Sequence, residues 1–340
     1  MFTFSRVSAV KGLAKTVCLT GLLLVSACNG EDSGDTAERQ RDSAFDRSIR
    51  AAQRVSEADF PPARGRTLQQ IADRVEAVLA GLATQEFTPG RNRLAFGVIG
   101  RDNKLVYGPS AIYFARTPND RAEGPFPAPA DPLVVDPPFR SKQAALESDA
   151  VAAIYETEVT LPRPGRYAVL VVTKGPDGLL VGGGTEIKVK RESAIPTVGE
   201  RPPRVNTETV ASSGGDIKSI ETRDPADDMH EENFADVLGK KPVVLLMATP
   251  ALCQTRVCGP VTDIAAQLQK QYGDRATFIH QEVYEDNEVQ KGLREPLRQF
   301  GLHTEPWLFT FDADGRVAAR LEGSFGNEAF REAVEAALSD

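Results

Sequence analysis

The chain has 340 residues, a formal net charge of −8 and a sequence pI near 5.2. That acidic balance, with no basic stripe along the sequence, argues against nucleic-acid binding. The length suits two domains of ordinary size.

Residues 1–27 carry Arg6, Lys11 and Lys15 with no acid, then the apolar run TVCLTGLLLVSA. The run is too short to span a bilayer and has the basic flank and small-residue exit of an export signal. Its ending, VSAC, resembles a bacterial lipoprotein box. That resemblance implies a lipid on Cys28, loss of Cys18 with the signal, and a mature chain held at the cell membrane on its extracytoplasmic face. Such a compartment permits disulfides. Residues 28–66, including NGEDSGDTAERQRDSAFDRS, are polar and charged and read as a flexible tether.

The next region, 67–190, reads as a short helix plus a β-domain. In TLQQIADRVEAVLAGL, Leu68, Ile71, Val75, Val78, Leu79 and Leu82 fall at helical spacing, which predicts a packing helix. LAFGVI, KLVY, AIYFA, AIYETEVTL, RYAVLVVT and TEIKVK then alternate as short strands between turn signals such as GRDNK, RPG and GPDG. The set resembles the immunoglobulin-like β-sandwich of bacterial surface domains. The proline-rich stretch 116–150 is expected as an extended surface loop. No catalytic constellation is present here, so a spacer role or a partner on the sandwich is expected. Residues 191–214 have the Pro, Ser and charge content of a linker.

Residues 215–340 alternate strand and helix in the order β, α, β, α, β, β, α. PVVLLMA is a continuous apolar run suited to a strand buried on both faces. A helix follows near Pro260, then come ATFIHQEV, a helix around EVQKGLREPLRQFG, the pair WLFTF and RVAARLEG joined by DADG, and a closing helix NEAFREAVEAALS. Three stretches resemble a thioredoxin-like domain of the membrane-anchored TlpA type: CGPVTDIAAQL after a buried strand, Glu305-Pro306 before WLFTF, and FTFDADGRVAARLEG. The resemblance covers roughly a third of the chain. It implies an α/β thioredoxin-like fold, a thiol–disulfide oxidoreductase acting on protein thiols and disulfides, and a cis-proline at Pro306. Glu305, Pro306 and Trp307 would line the substrate groove.

The departure from that family lies in the cysteines. Its Cys-x-x-Cys pair lets one sulfur become a stabilised thiolate and the other resolve the mixed disulfide. Here Val261 takes the second position and the available partner is Cys253, giving C-x4-C. Two residues five apart in a continuous helix have Cα atoms roughly 8.6 Å apart, beyond disulfide reach. Cys253 must therefore sit outside the helix, or the first turn must unwind. Either Cys258 leads and Cys253 resolves, which the gapless run from 258 favours, or Cys253 leads. The second order resembles the C-x4-C peroxiredoxins, with Thr249-Pro250 as a loose echo of their motif and Arg256 as the cation nearest in sequence. A carboxylate at Glu305, beside the sulfur, would raise the thiol pKa.

A weaker resemblance is to SCO-type copper chaperones, whose ligands would correspond to Cys253, Cys258 and His303; two thiolates and an imidazole suit copper. His280 falls within a predicted strand and reads as structural, and Met229-His230 carries no usable pattern. A non-catalytic binding lipoprotein with a structural disulfide is the remaining alternative. The redox reading needs no cofactor.

Overall fold

Period-two alternation shapes the first half of the chain into two facing sheets. The computed structural model describes residues 45–145, 151–175, 177–253 and 255–339; the expected signal, Cys28 and the tether as far as residue 44 lie outside the described residues. One sheet has the order β1 (Glu76–Ala77), β9 (Leu180–Val189), β8 (Gly165–Lys174), β4 (Ser110–Ala115), β5 (Glu123–Ala128). The other runs β2 (Leu79–Leu82), β3 (Gly90–Ile99), β7 (Ala153–Leu161), β6 (Ala130–Pro132). Their inner faces share a core in which Leu94, Phe96, Tyr155 and Val159 of one sheet meet Ile112, Phe114, Val169 and Val171 of the other.

Four expectations for this half change. The helix expected over 67–82 is confined to Leu68–Ala72, with Thr67 capping it by accepting from Gln70 N. Beyond it the chain turns extended, β1 running parallel to β9 and β2 antiparallel to β3. Pairing with β9 and β3 overrides the helical spacing of a stretch whose own propensity is only a weak preference. The crossing requires glycine at 183, where a Cβ would stand 2.7 Å from both Val78 O and Ala80 N.

The proline-rich loop expected over 116–150 contributes β5 and β6. Both are edge strands, where a residue lacking N–H is tolerated. KLVY makes only an isolated bridge, Leu105 to Ile99. The last part of the expected tether is packed structure: 45–53 is helical, Ala52 is buried in the sandwich core with Ile49 against it, and Phe60 and Ala63 are buried nearby.

The second half is built on β10 (Val243–Met247), all of whose residues are buried. It pairs in parallel with β11 (Thr277–Gln281) and antiparallel with β12 (Trp307–Phe311), which pairs antiparallel with β13 (Val317–Glu322). This gives the expected strand and helix order in a sheet of order β11-β10-β12-β13. The helices Cys258–Tyr272 and Asn327–Leu338 pack on the face carrying Val244, Leu246 and Leu308. The opposite face, with Leu245, Met247, Trp307 and Phe309, is covered by Phe234, Leu297 and Phe300. Ile195 and Val205 are buried in that same core, so the segment expected as a linker is a strap laid on the sheet.

The helix expected around 288–301 is reduced to Glu295–Phe300, ending at Gly301 with φ 74°, a left-handed position suited to glycine. The described residues, from 45 onward, form one compact unit. The reason is a shared core: Ala95, Leu133, Val135 and Ile154 of the sandwich pack with Val244, Phe325 and Phe330.

Polar contacts fix the junction. The helix Asn327–Leu338 starts at Gly326 without a side-chain cap of its own. Asp131, from β6, supplies one instead, accepting from Glu328 N at 3.0 Å and Ala329 N at 2.9 Å. Glu322 reciprocates by accepting from Gln85 N and Glu86 N. Asp131→Ala should therefore cost about 1–3 kcal/mol. Urea unfolding followed by fluorescence of Trp307 and by far-ultraviolet circular dichroism should give one coincident transition. Two separated transitions would show that the halves fold independently.

Candidate functional site

The chain leaves β10 at Met247, passes through Thr249 and Pro250, and reaches Cys253 in a loop before the helix begins at Cys258. Arg256 turns this loop with φ 59°, the left-handed region. The turn brings the sulfurs together: Cys253 and Cys258 form a disulfide with Cα atoms 6.0 Å apart. Cys253 is outside the helix, as disulfide reach demands. Cys258 is the first residue of a 15-residue helix, where the backbone N–H groups and the dipole favour a thiolate. The two sulfurs differ in access. Cys258 is fully buried, whereas Cys253 is half-buried, with Thr255 Oγ1 3.2 Å from its sulfur.

Glu305 is the third member of the site. Its Oε2 lies 3.6 Å from Cys258 Sγ and accepts from Thr249 N at 2.9 Å. The Glu305–Pro306 peptide is cis, as the resemblance implied. Burial pushes the Glu305 carboxyl up to about 7, opposed by bonds from Tyr284 and the Thr249 backbone. Tyr284 is itself pushed up to about 12 by burial and by Glu305.

Trp307 departs from the groove expectation. It is 2% exposed, donates from Nε1 to Thr304 Oγ1, and stacks on Phe309 on the sheet face opposite Cys258. Neighbours along a strand point to opposite faces, so Trp307 is a core residue beneath the site.

Among the described residues, two groups bring potential metal-ligand atoms within 4.8 Å of one another: Cys253, Cys258 and Glu305, and separately Glu221, Asp227, His230 and His280. His303, the expected third copper ligand, belongs to neither and is exposed. Thr249 Oγ1 of the peroxiredoxin echo accepts from Val283 N, and the hydroxyl also bonds the Glu282 side chain. A cavity of about 750 Å³ opens between β3, β7 and β13, and none of Cys253, Cys258 or Glu305 lines it. The convergence of His230 with His280 was not legible, because Glu221, Asp227 and His230 lie in an irregular loop without periodicity.

No family model matches the chain, and no curated protein matches it. Among solved structures, it is similar to a protein described as thiol:disulfide interchange protein DsbE from Chlorobium tepidum, at 15% identity over 42% of this chain and 99% of that one, with a TM-score of 0.31. It is also similar to MTB dsbF, at 17% identity over 41% and 99%, TM-score 0.27. A third is the PKD domain of an M14-like peptidase from Thermoplasmatales archaeon SCGC AB-540-F20, at 11% identity over 34% and 95%, TM-score 0.19. The functional reading rests on the residues around the disulfide.

The buried carboxyl has a measurable signature in the oxidised chain. Folded, Glu305 keeps its proton to about pH 7; unfolded, it releases it near 4.5. The folded state binds more protons between those values, so Glu305 withdraws about 3 kcal/mol of stability as pH rises through them. Glu305→Gln, which retains an acceptor for Thr249 N, should remove that slope and stabilise the oxidised chain at pH 8. Urea titrations of both proteins from pH 4.5 to 8 check this; identical pH profiles would contradict it.

Proposed function

We propose that the chain is a thioredoxin-like thiol–disulfide oxidoreductase working through Cys253 and Cys258, anchored by a lipid on Cys28 at the extracytoplasmic face of the cell membrane. The observation that carries the redox reading is a carboxyl raised to about 7 beside the buried sulfur of a disulfide at a helix start. An inert staple has no need of such a group, whose burial lowers stability at neutral pH.

The difference in access supports Cys253 as the sulfur that meets the partner. In the dithiol form, the Cys253 thiolate attacks one sulfur of a partner disulfide, forms the mixed disulfide and releases the partner's other sulfur as a thiolate. Glu305, as carboxylate, then takes the proton of Cys258. The Cys258 sulfur attacks Cys253 Sγ, closes the 253–258 bond and expels the partner's second sulfur as a thiolate. Two electrons have passed to the partner, and the proton rests on Glu305. In reverse, the oxidised chain accepts two electrons from a partner dithiol, and Glu305 returns the proton to Cys258.

The helix start favours the thiolate by about 0.3–1 kcal/mol in exposed settings. A charged carboxylate 3.6 Å away opposes it. Protonation of Glu305 relieves that opposition, so proton and sulfur chemistry are coupled. Pro306 and Glu305 would border the groove for the partner backbone, and the sandwich would serve as a rigid platform beside it.

Cys258→Ser should accumulate a mixed disulfide through Cys253, and Cys253→Ser should not; the opposite result would place Cys258 first. In stopped-flow closure of the wild-type dithiol, the rate should rise through about pH 7. Glu305→Gln should lose that inflection and slow closure by about 100-fold. Wild-type failure both to reduce insulin and to refold a reduced, disulfide-containing substrate would overturn the enzyme reading. Cys28→Ser should release the chain from the membrane fraction and abolish palmitate incorporation.

A further inference from the structure

The loop 221–230, ETRDPADDMH, has no regular secondary structure, yet it delivers three ionisable side chains to the edge of β11. Glu221 is 6% exposed, Asp227 9%, His230 2% and His280 0%. His280 N donates to Met229 O at 3.0 Å, which fastens the loop to the strand.

Each of three groups is oriented by the backbone so that its remaining ligand atom faces the others. His280 Nε2 lies 3.0 Å from the Ala248 carbonyl, which can only accept, so Nε2 carries the hydrogen. Glu221 Oε1 accepts from Arg223 N, and Asp227 Oδ1 accepts from Met229 N. His280 Nδ1 then stands 2.9 Å from Asp227 Oδ2 and 3.3 Å from Glu221 Oε2. His230 Nε2 stands 3.0 Å from Glu221 Oε2 and 3.7 Å from Asp227 Oδ1. The other nitrogen of His230, Nδ1, is buried without a hydrogen-bond partner, so the ring's polar contacts run through Nε2 into the cluster.

A lone pair on His280 Nδ1 cannot face two carboxylates in a dry interior without a cation between them. The cation is either a proton or a metal ion. Tetrahedral coordination with bonds of about 2.0–2.1 Å places neighbouring ligand atoms about 3.3–3.4 Å apart. The separations among the atoms left free for a ligand role run from 2.9 to 3.3 Å, at or a few tenths of an ångström inside that value. Ligand imidazoles that give their second N–H to a carbonyl, and ligand carboxylates held by backbone N–H groups, are the usual supports of metal sites.

We propose that Glu221, Asp227, His230 and His280 form a closed binding site for a divalent transition ion of the Zn²⁺ type. A double positive charge neutralises both carboxylates and leaves both imidazoles neutral. Four protein ligands leave no open position, which makes the site structural. Its location is informative: the Ala248 carbonyl that orients His280 directly precedes Thr249, whose N–H holds Glu305. The ion would pin the 221–230 loop to the strand end from which the redox loop departs.

The test uses the oxidised full chain, in which neither Cys253 nor Cys258 is a thiolate. After chelator treatment it is titrated with Zn²⁺ and, separately, with Co²⁺. Binding of one equivalent, a higher melting temperature and the visible bands of tetrahedral Co²⁺ without strong thiolate charge transfer are expected. Because His280→Gln risks unfolding the chain, the variants are His230→Gln and Asp227→Asn, each checked for native circular dichroism. Affinity should fall at least tenfold in both. Failure of the wild-type chain to bind one equivalent overturns the proposal, as does a thiolate-type Co²⁺ spectrum or full affinity in either natively folded variant.

Discussion

A carboxyl group held out of water beside a sulfur is the constraint around which the second half of the molecule is organised. Glu305 is raised to about 7 because burial penalises its charge more than the Tyr284 and Thr249 contacts favour it. Holding it there requires the Thr249 N–H, the strand end before it and the turn into β12 to keep their positions. β10 and β12 pair along their whole lengths, Met247 against Trp307. The two segments that meet at the site therefore emerge from one rung of the ladder, on adjacent strands.

The helix start and Glu305 act on Cys258 in opposite directions. The helix favours a thiolate, whereas a charged Glu305 opposes it. The balance changes when one proton moves, which couples the sulfur to its neighbour more tightly than the helix alone would. The loop on the other side of the sulfur contributes access. Cys253 rises out of the fold through a left-handed turn at Arg256, while Cys258 remains beneath it.

The sequence announced those parts whose burial is complete. PVVLLMA and WLFTF are apolar throughout because both faces of their sheet are covered, and CGPVTDIAAQL reads as a helix start because proline suits its first turn. Elsewhere local signals misled. Leu68 to Leu82 has helical spacing, but Glu76 and Ala77 are drawn extended by pairing partners more than a hundred residues away in β9. Pro125 and Pro127 suggest a loop unless the stretch is known to be a sheet edge. Phe45, Ile49 and Ala52 carry a helical stripe inside a charged composition that masks it. Trp307 follows the cis-proline in sequence, yet strand alternation turns it to the far face. Glu221 and His280 are 59 positions apart, and only the loop's path makes them neighbours.

The cap that Asp131 places on the last helix bears on how such a chain can be inherited. A domain that travels between genes must carry its own helix caps and its own core. Here the closing helix of the disulfide-bearing half starts on a side chain from the sandwich, and the hydrophobic layer beneath it includes Leu133, Val135 and Ile154. Excised at residue 215, that half would expose an apolar face and leave two helix N–H groups unanswered. The two halves have become a single heritable part, so recombination through the 191–214 strap would separate a helix from the residue that begins it.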